Sequence, residues 1–73
     1  MEVETKTDKV YRLLFELLQQ NPTGLRWHKL LEDIQMIAPE LHPKTINGCI
    51  WKLVEKYPDK VYKPEKGLFR LKT

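Results

Sequence analysis

Residues 43–72 read PKTINGCIWKLVEKYPDKVYKPEKGLFRLK, and the hydrophobic period changes once along them. Pro43 is the residue type favoured at the first position of a helix, where its missing N–H costs nothing. With Ile46 as origin and ~100° per residue, Cys49, Ile50, Leu53, Val54 and Tyr57 gather on one face. The spacing therefore predicts a helix over about Pro43–Tyr57, with Lys44, Asn47, Gly48, Trp51, Lys52 and Glu55 on its polar side. Tyr57-Pro58-Asp59 breaks the pattern. Lys60-Val61-Tyr62-Lys63 and Leu68-Phe69-Arg70-Leu71-Lys72 then read as two strands joined by Pro64-Glu65-Lys66-Gly67. Pro64 suits the second position of a type I turn and Gly67 the positive-φ residue that closes a short hairpin. Phe69 and Leu71 are expected to face the helices with Val61 across from them, leaving Lys63, Arg70 and Lys72 outward or at the rim.

Upstream, Val10, Leu13, Leu14, Leu17 and Leu18 form one stripe of an amphipathic helix, bordered by Tyr11 and Phe15 and capped by Thr7 or Asp8. Asn21-Pro22-Thr23-Gly24 stops it. Leu25-Arg26 is too short for an independent strand but long enough to add an extended segment to a sheet formed later. Leu30, Leu31, Ile34 and Ile37 predict a second helix over Trp27–Ile37, ended by Ala38-Pro39. The shared phase of these stretches gives an expected core of Leu14, Leu17, Leu30, Ile34, Ile46, Ile50, Leu53 and Phe69.

A chain of 73 residues supports one core, so a single domain over 1–73 is expected, with 1–6 disordered. Hydrophobic residues at 41% and charged residues at 32% fit a globular protein rather than a disordered or membrane one. No apolar run nears the ~18 residues of a membrane span. The acidic start Met1-Glu2-Val3-Glu4 leads into no signal-like stretch, so an intracellular site, cytoplasmic or nuclear, is expected. One cysteine excludes an internal disulfide. Cys49 with two histidines is a poor zinc set, and His28 and Glu32, four apart, read as a surface pair. The reading is accordingly no metal, no cofactor and no small-molecule substrate. With neither a Gly-rich phosphate loop nor a nucleophile-base constellation, it is also a reading of no catalysis.

Charge is uneven along the chain. Residues 1–42 carry five basic and seven acidic side chains, net −2, whereas residues 43–73 carry eight and three, net +5. Such a concentration is the footprint expected for a polyanion partner.

The order helix, short extended segment, helix, helix, hairpin resembles the winged helix-turn-helix, an α+β fold of three helices followed by a C-terminal β-hairpin wing. The closer resemblance is to the HARE helix-turn-helix subfamily of chromatin proteins and restriction endonucleases. Three segments carry it: Gly24-Leu25-Arg26-Trp27-His28-Lys29-Leu30-Leu31, Pro43-Lys44-Thr45-Ile46 and Gly67-Leu68-Phe69-Arg70-Leu71. His42 stands where such domains more usually place Thr or Ser, which leaves the cap of the third helix open. The resemblance implies a DNA-binding or DNA-proximal module, often tethered to a nuclease or regulatory part; some relatives serve in protein contacts instead.

In a helix-turn-helix the second helix of the motif enters the major groove. Here Lys44 and Lys52 are candidates for phosphate or guanine, Asn47 for adenine, and Thr45 for phosphate or a thymine methyl. Gly48 either lets the helix approach DNA closely or packs against the second helix. Trp51, in the middle of the polar face, either folds over the wing or the helix edge, or anchors a partner. Trp27 reads as core or helix-end packing. Lys60, Lys63, Lys66 and Arg70 are candidates for the phosphate backbone or minor groove, against the alternative that lysines merely blunt a sheet edge. Double-stranded DNA is the expected partner, and a protein docked on the Trp51 face is the alternative.

Overall fold

The computed structural model describes residues 5–72. Helix α1 spans Lys6–Gln20, and Thr5 caps it by accepting the Asp8 N–H at 3.1 Å. The cap thus falls earlier than Thr7 or Asp8, both of which lie inside the helix. Residues 1–4 of the segment expected to be disordered lie outside the described residues. Gly24, at φ 97°, turns the chain into β1, Leu25–Arg26, and α2 follows over Trp27–Ile37. Helix α3 covers Pro43–Lys56. Strand β2 spans Val61–Glu65 and β3 Leu68–Leu71.

The sheet is antiparallel in the order β1-β3-β2. Leu25 pairs with Phe69 and Arg26 with Leu68, so the two-residue extended segment does join the hairpin. Three helices with this sheet, β2 and β3 forming the wing, make a winged helix-turn-helix of the α+β class.

The hairpin is tighter than its sequence suggests. Glu65 pairs with Leu68, so the turn is Lys66-Gly67 alone, with Gly67 at φ 77°. Between the pairs Tyr62↔Arg70 and Glu65↔Leu68, β2 advances three residues while β3 advances two. That extra residue is a bulge on an edge strand, where Pro64 removes no ladder hydrogen bond that another strand needs. Alternation from the buried Val61 places Lys63 on the helix-facing side of β2, at the rim.

The core lies where α1, α2 and α3 meet the inner face of the hairpin. Leu14, Leu17, Leu30, Ile34, Ile46, Ile50, Leu53 and Phe69 are all buried, as their phase requires. Tyr11, placed at the border of the α1 stripe, is buried as well, and Ala38 and Leu41 fill the corner between α2 and α3. Ile37 departs from expectation: it is 54% exposed, because the buried stripe of this segment steps by four through Leu30, Ile34 and Ala38 and leaves Ile37 on its flank. Cys49 is buried as its phase predicts.

Candidate nucleic-acid interface

Helix α3 begins with a capped turn. The His42 imidazole accepts the Lys44 N–H at Nδ1, 3.1 Å away, so it does what a Thr or Ser hydroxyl would do at that position. From this turn Lys44, Asn47, Gly48, Trp51 and Lys52 follow one another along the solvent side of the helix, with Thr45 half-buried at its margin. A Cβ added to Gly48 would meet no atom within 4 Å. The glycine therefore does not make room for α2, and a stretch of α3 backbone lies open to solvent.

Trp51 is held by four neighbours. Its Nε1–H donates to Asn47 Oδ1 at 3.1 Å, one turn back on the same helix. Its ring meets the edge of Phe69 at 5.7 Å and an interplanar angle of 66°, and lies 6.1 Å from the Trp27 ring at 38°. Lys63 Nζ stands 5.8 Å from its centroid. Trp27 is in turn fastened to the wing: its backbone N–H donates to the Gly67 carbonyl at 2.8 Å, and a Cβ on Gly67 would sit 3.0 Å from its Cδ1. Both indoles nevertheless remain 38% exposed. The two readings of Trp51 are thus not exclusive, since the side chain lies down toward the wing and still offers part of its face to solvent.

The structure brings Asn47, Trp51 and Lys63 together and sets Lys44, Gly48 and Lys52 along the same helix. Lys66 occupies the wing turn, exposed beside Gly67. Arg70 lies on the outer face of the sheet, donating from Nε to the Pro22 carbonyl at 3.1 Å and standing 5.9 Å from the Tyr62 ring. Lys60 is at the base of the hairpin, where its carbonyl accepts the Lys72 N–H at 2.7 Å, at the opposite end of β2 from the turn. Trp27 was not among the site residues read from sequence. Its spacing from Leu30 and Ile34 is that of the core stripe, and nothing local signals that the first turn of α2 projects beyond the core to meet α3.

Charge separates the molecule in two. The ion pairs Lys9–Glu40 at 2.9 Å, Arg12–Glu16 at 3.3 Å, Lys29–Asp33 at 3.2 Å and Arg26–Glu65 at 3.3 Å all take their cation from residues 9–29. The Lys9 hydrogen bond holds the Glu40 carboxyl below its ordinary range. Among the described residues Lys44, Lys52, Lys60, Lys63 and Lys66 form no ion pair.

Cys49 lies beside Tyr11 under α3, and burial pushes its thiol above the ordinary value of 9.0. Burial likewise raises the Tyr11 phenol above 10.0. The concavity between α1 and the base of the hairpin, lined by Phe15, Gln19, Asp59, Lys60, Leu71 and Lys72, is open and shallow. Among the described residues no three His, Cys, Asp or Glu side chains are grouped to hold a metal ion, and no helix is long and apolar enough to cross a membrane. No family model matches the chain, and neither the curated proteins nor the solved structures contain a significant match to it.

Proposed function

We propose that this domain is a DNA-binding module of the HARE helix-turn-helix kind, acting by binding rather than catalysis, inside the cell and as the reading part of a larger nuclease or regulatory protein. The observation that carries the proposal is the division of charge. Lys9, Arg12, Arg26 and Lys29 of α1, β1 and α2 have carboxylates of their own chain beside them, whereas the lysines of α3 and the wing have none among the described residues. Unneutralised lysines on a recognition helix and an adjoining hairpin suit a phosphate backbone, and the open backbone at Gly48 allows α3 to lie close to the floor of a major groove. Lys44 and Lys52 position the helix, Asn47 and Thr45 face the base edges, and Lys63 and Lys66 carry the wing along the backbone.

Protein docking is the second reading, favoured by the two indoles at 38% exposure. Salt separates the two. With about five phosphate contacts, raising salt fourfold weakens DNA binding several hundred-fold, while docking through an aromatic anchor changes far less. Titration of labelled duplex DNA at two salt concentrations makes the test. Failure to bind duplex even at low salt would sink the DNA reading.

A further inference from the structure

The two exposed indoles have no role in gripping a continuous duplex. Phosphates and groove edges offer charge, donors, acceptors and the thymine methyl, whereas an extended π-face is best matched by another π-face. Trp27 and Trp51 are nevertheless built in with care. One is clamped by the wing turn at Gly67, the other is oriented by Asn47, and they lie 6.1 Å apart beside Lys63. Asn47 Oδ1 satisfies the indole N–H of Trp51, so the ring offers a ligand apolar surface rather than a free donor. The site lies between the exposed face of α3 and the wing, flanked by lysines that form no ion pair among the described residues.

We propose, building on the DNA-binding reading, that the Trp27–Trp51 pair is a stacking platform for one unpaired base next to duplex DNA, so that the domain prefers DNA carrying an extrahelical base. Lys63 holds the phosphate beside that base while α3 and the wing hold the flanking duplex. An unpaired base is the occupant favoured here over an apolar protein side chain because Lys63 and Lys66 of the wing form no ion pair among the described residues, while Glu65, the carboxylate of the wing, is taken up by Arg26. Stacking of a base on an aromatic side chain changes affinity by about 5- to 150-fold.

The test uses three short duplexes: fully paired, with one bulged base, and with an abasic nucleotide at the bulge. The last keeps the backbone's flexibility without the π-face. The bulged base should bind about 5- to 150-fold tighter than the other two, which should resemble one another. Both tryptophans of the chain are in the pair, so intrinsic fluorescence reports on it directly and should be quenched by the bulged base alone. Trp51→Ala should bring the bulged-base affinity down to that of the abasic bulge measured with the same variant; Trp51→Phe, which keeps a ring, should retain part of the preference. Melting temperatures check that each variant folds, and Trp27→Ala serves as a second probe. Equal affinity for the bulged base and the abasic bulge overturns the platform and leaves DNA binding intact. An absence of binding to all three removes the DNA reading together with the platform, leaving the indoles to a protein partner.

Discussion

The surfaces of α1 and α2 and of α3 and the wing are both rich in charge, but they treat it differently. Lys9, Arg12, Arg26 and Lys29 each lie within 3.3 Å of a carboxylate oxygen, and all of these pairs are at the surface, where such contacts contribute little to stability. Their effect is on the field instead: a neutralised pair presents almost nothing to a distant polyanion. Lys44, Lys52, Lys63 and Lys66 lack such partners among the described residues, so their charge reaches outward. The difference teaches that net charge, only +3 for the chain, understates what one side of this molecule presents.

Both surfaces stand on one core, and breaking it should have the largest effect. Ile50 is fully buried beneath the exposed row of α3. Ile50→Ala should cost about 2–5 kcal/mol, read from chemical denaturation, a large fraction of the stability of so small a fold. A loss of a few tenths would mean that α3 is rotated relative to its description here.

Asn47→Ala comes next. If the α3 face reads bases, its loss should relax preference at one base position by about 1–3 kcal/mol, measured by competition among duplexes that differ there. Because the same side chain orients Trp51, intrinsic fluorescence should also shift in the free protein. Unchanged preference in a folded variant would remove α3 from the groove. The charge contrast itself is sharpened by reversal. Lys63→Glu with Lys66→Glu should weaken binding to unrelated sequences equally and lower the salt slope by about one per lysine. Lys9→Glu and Lys29→Glu, on the neutralised side, should leave both unchanged. Equal losses on the two sides would erase the distinction between them.

Gly48→Ala acts in two directions. With open space around the added Cβ, the fold should gain about 0.5–1 kcal/mol from helix propensity, seen as a raised Tm. DNA affinity should fall if the backbone approaches the groove there. The smallest effect is at alkaline pH. Cys49 and Tyr11 are raised by burial, so the folded chain holds those protons more tightly than the unfolded chain does. Stability is complete below their ordinary values of 9.0 and 10.0 and is lost as pH rises from those values through the raised ones. Cys49→Ser melted from pH 8 to 11 should show a shallower decline than the parent chain.

Much of the fold was legible. The α3 stripe of Ile46, Cys49, Ile50 and Leu53 is buried, and the outward row of Lys44, Gly48, Trp51 and Lys52 is exposed, since a helix that buries one side must present the other. Leu25-Arg26 was legible as an addition to a later sheet. Ile37 was not, because the buried stripe runs through Leu30, Ile34 and Ala38, and an apolar pattern alone does not say which flank of a broad arc meets the core. The Thr5 cap lay before two equally suitable residues, and propensity alone does not rank them.

The sequence by itself determined which residues lie on which side of each element, because side-chain direction follows from a local repeat of 3.6 or 2 residues. It also determined that positive charge belongs to the C-terminal part. Tertiary structure alone decided that Trp27 and Trp51 become neighbours, that Lys63 turns to the helix side above them, and that the lysines of α3 and the wing find no carboxylate among the described residues. Each of these depends on how α2, α3 and a bulged hairpin are placed against one another. That placement is set by packing the whole core, to which residues distant in the chain contribute together, and no local repeat encodes it.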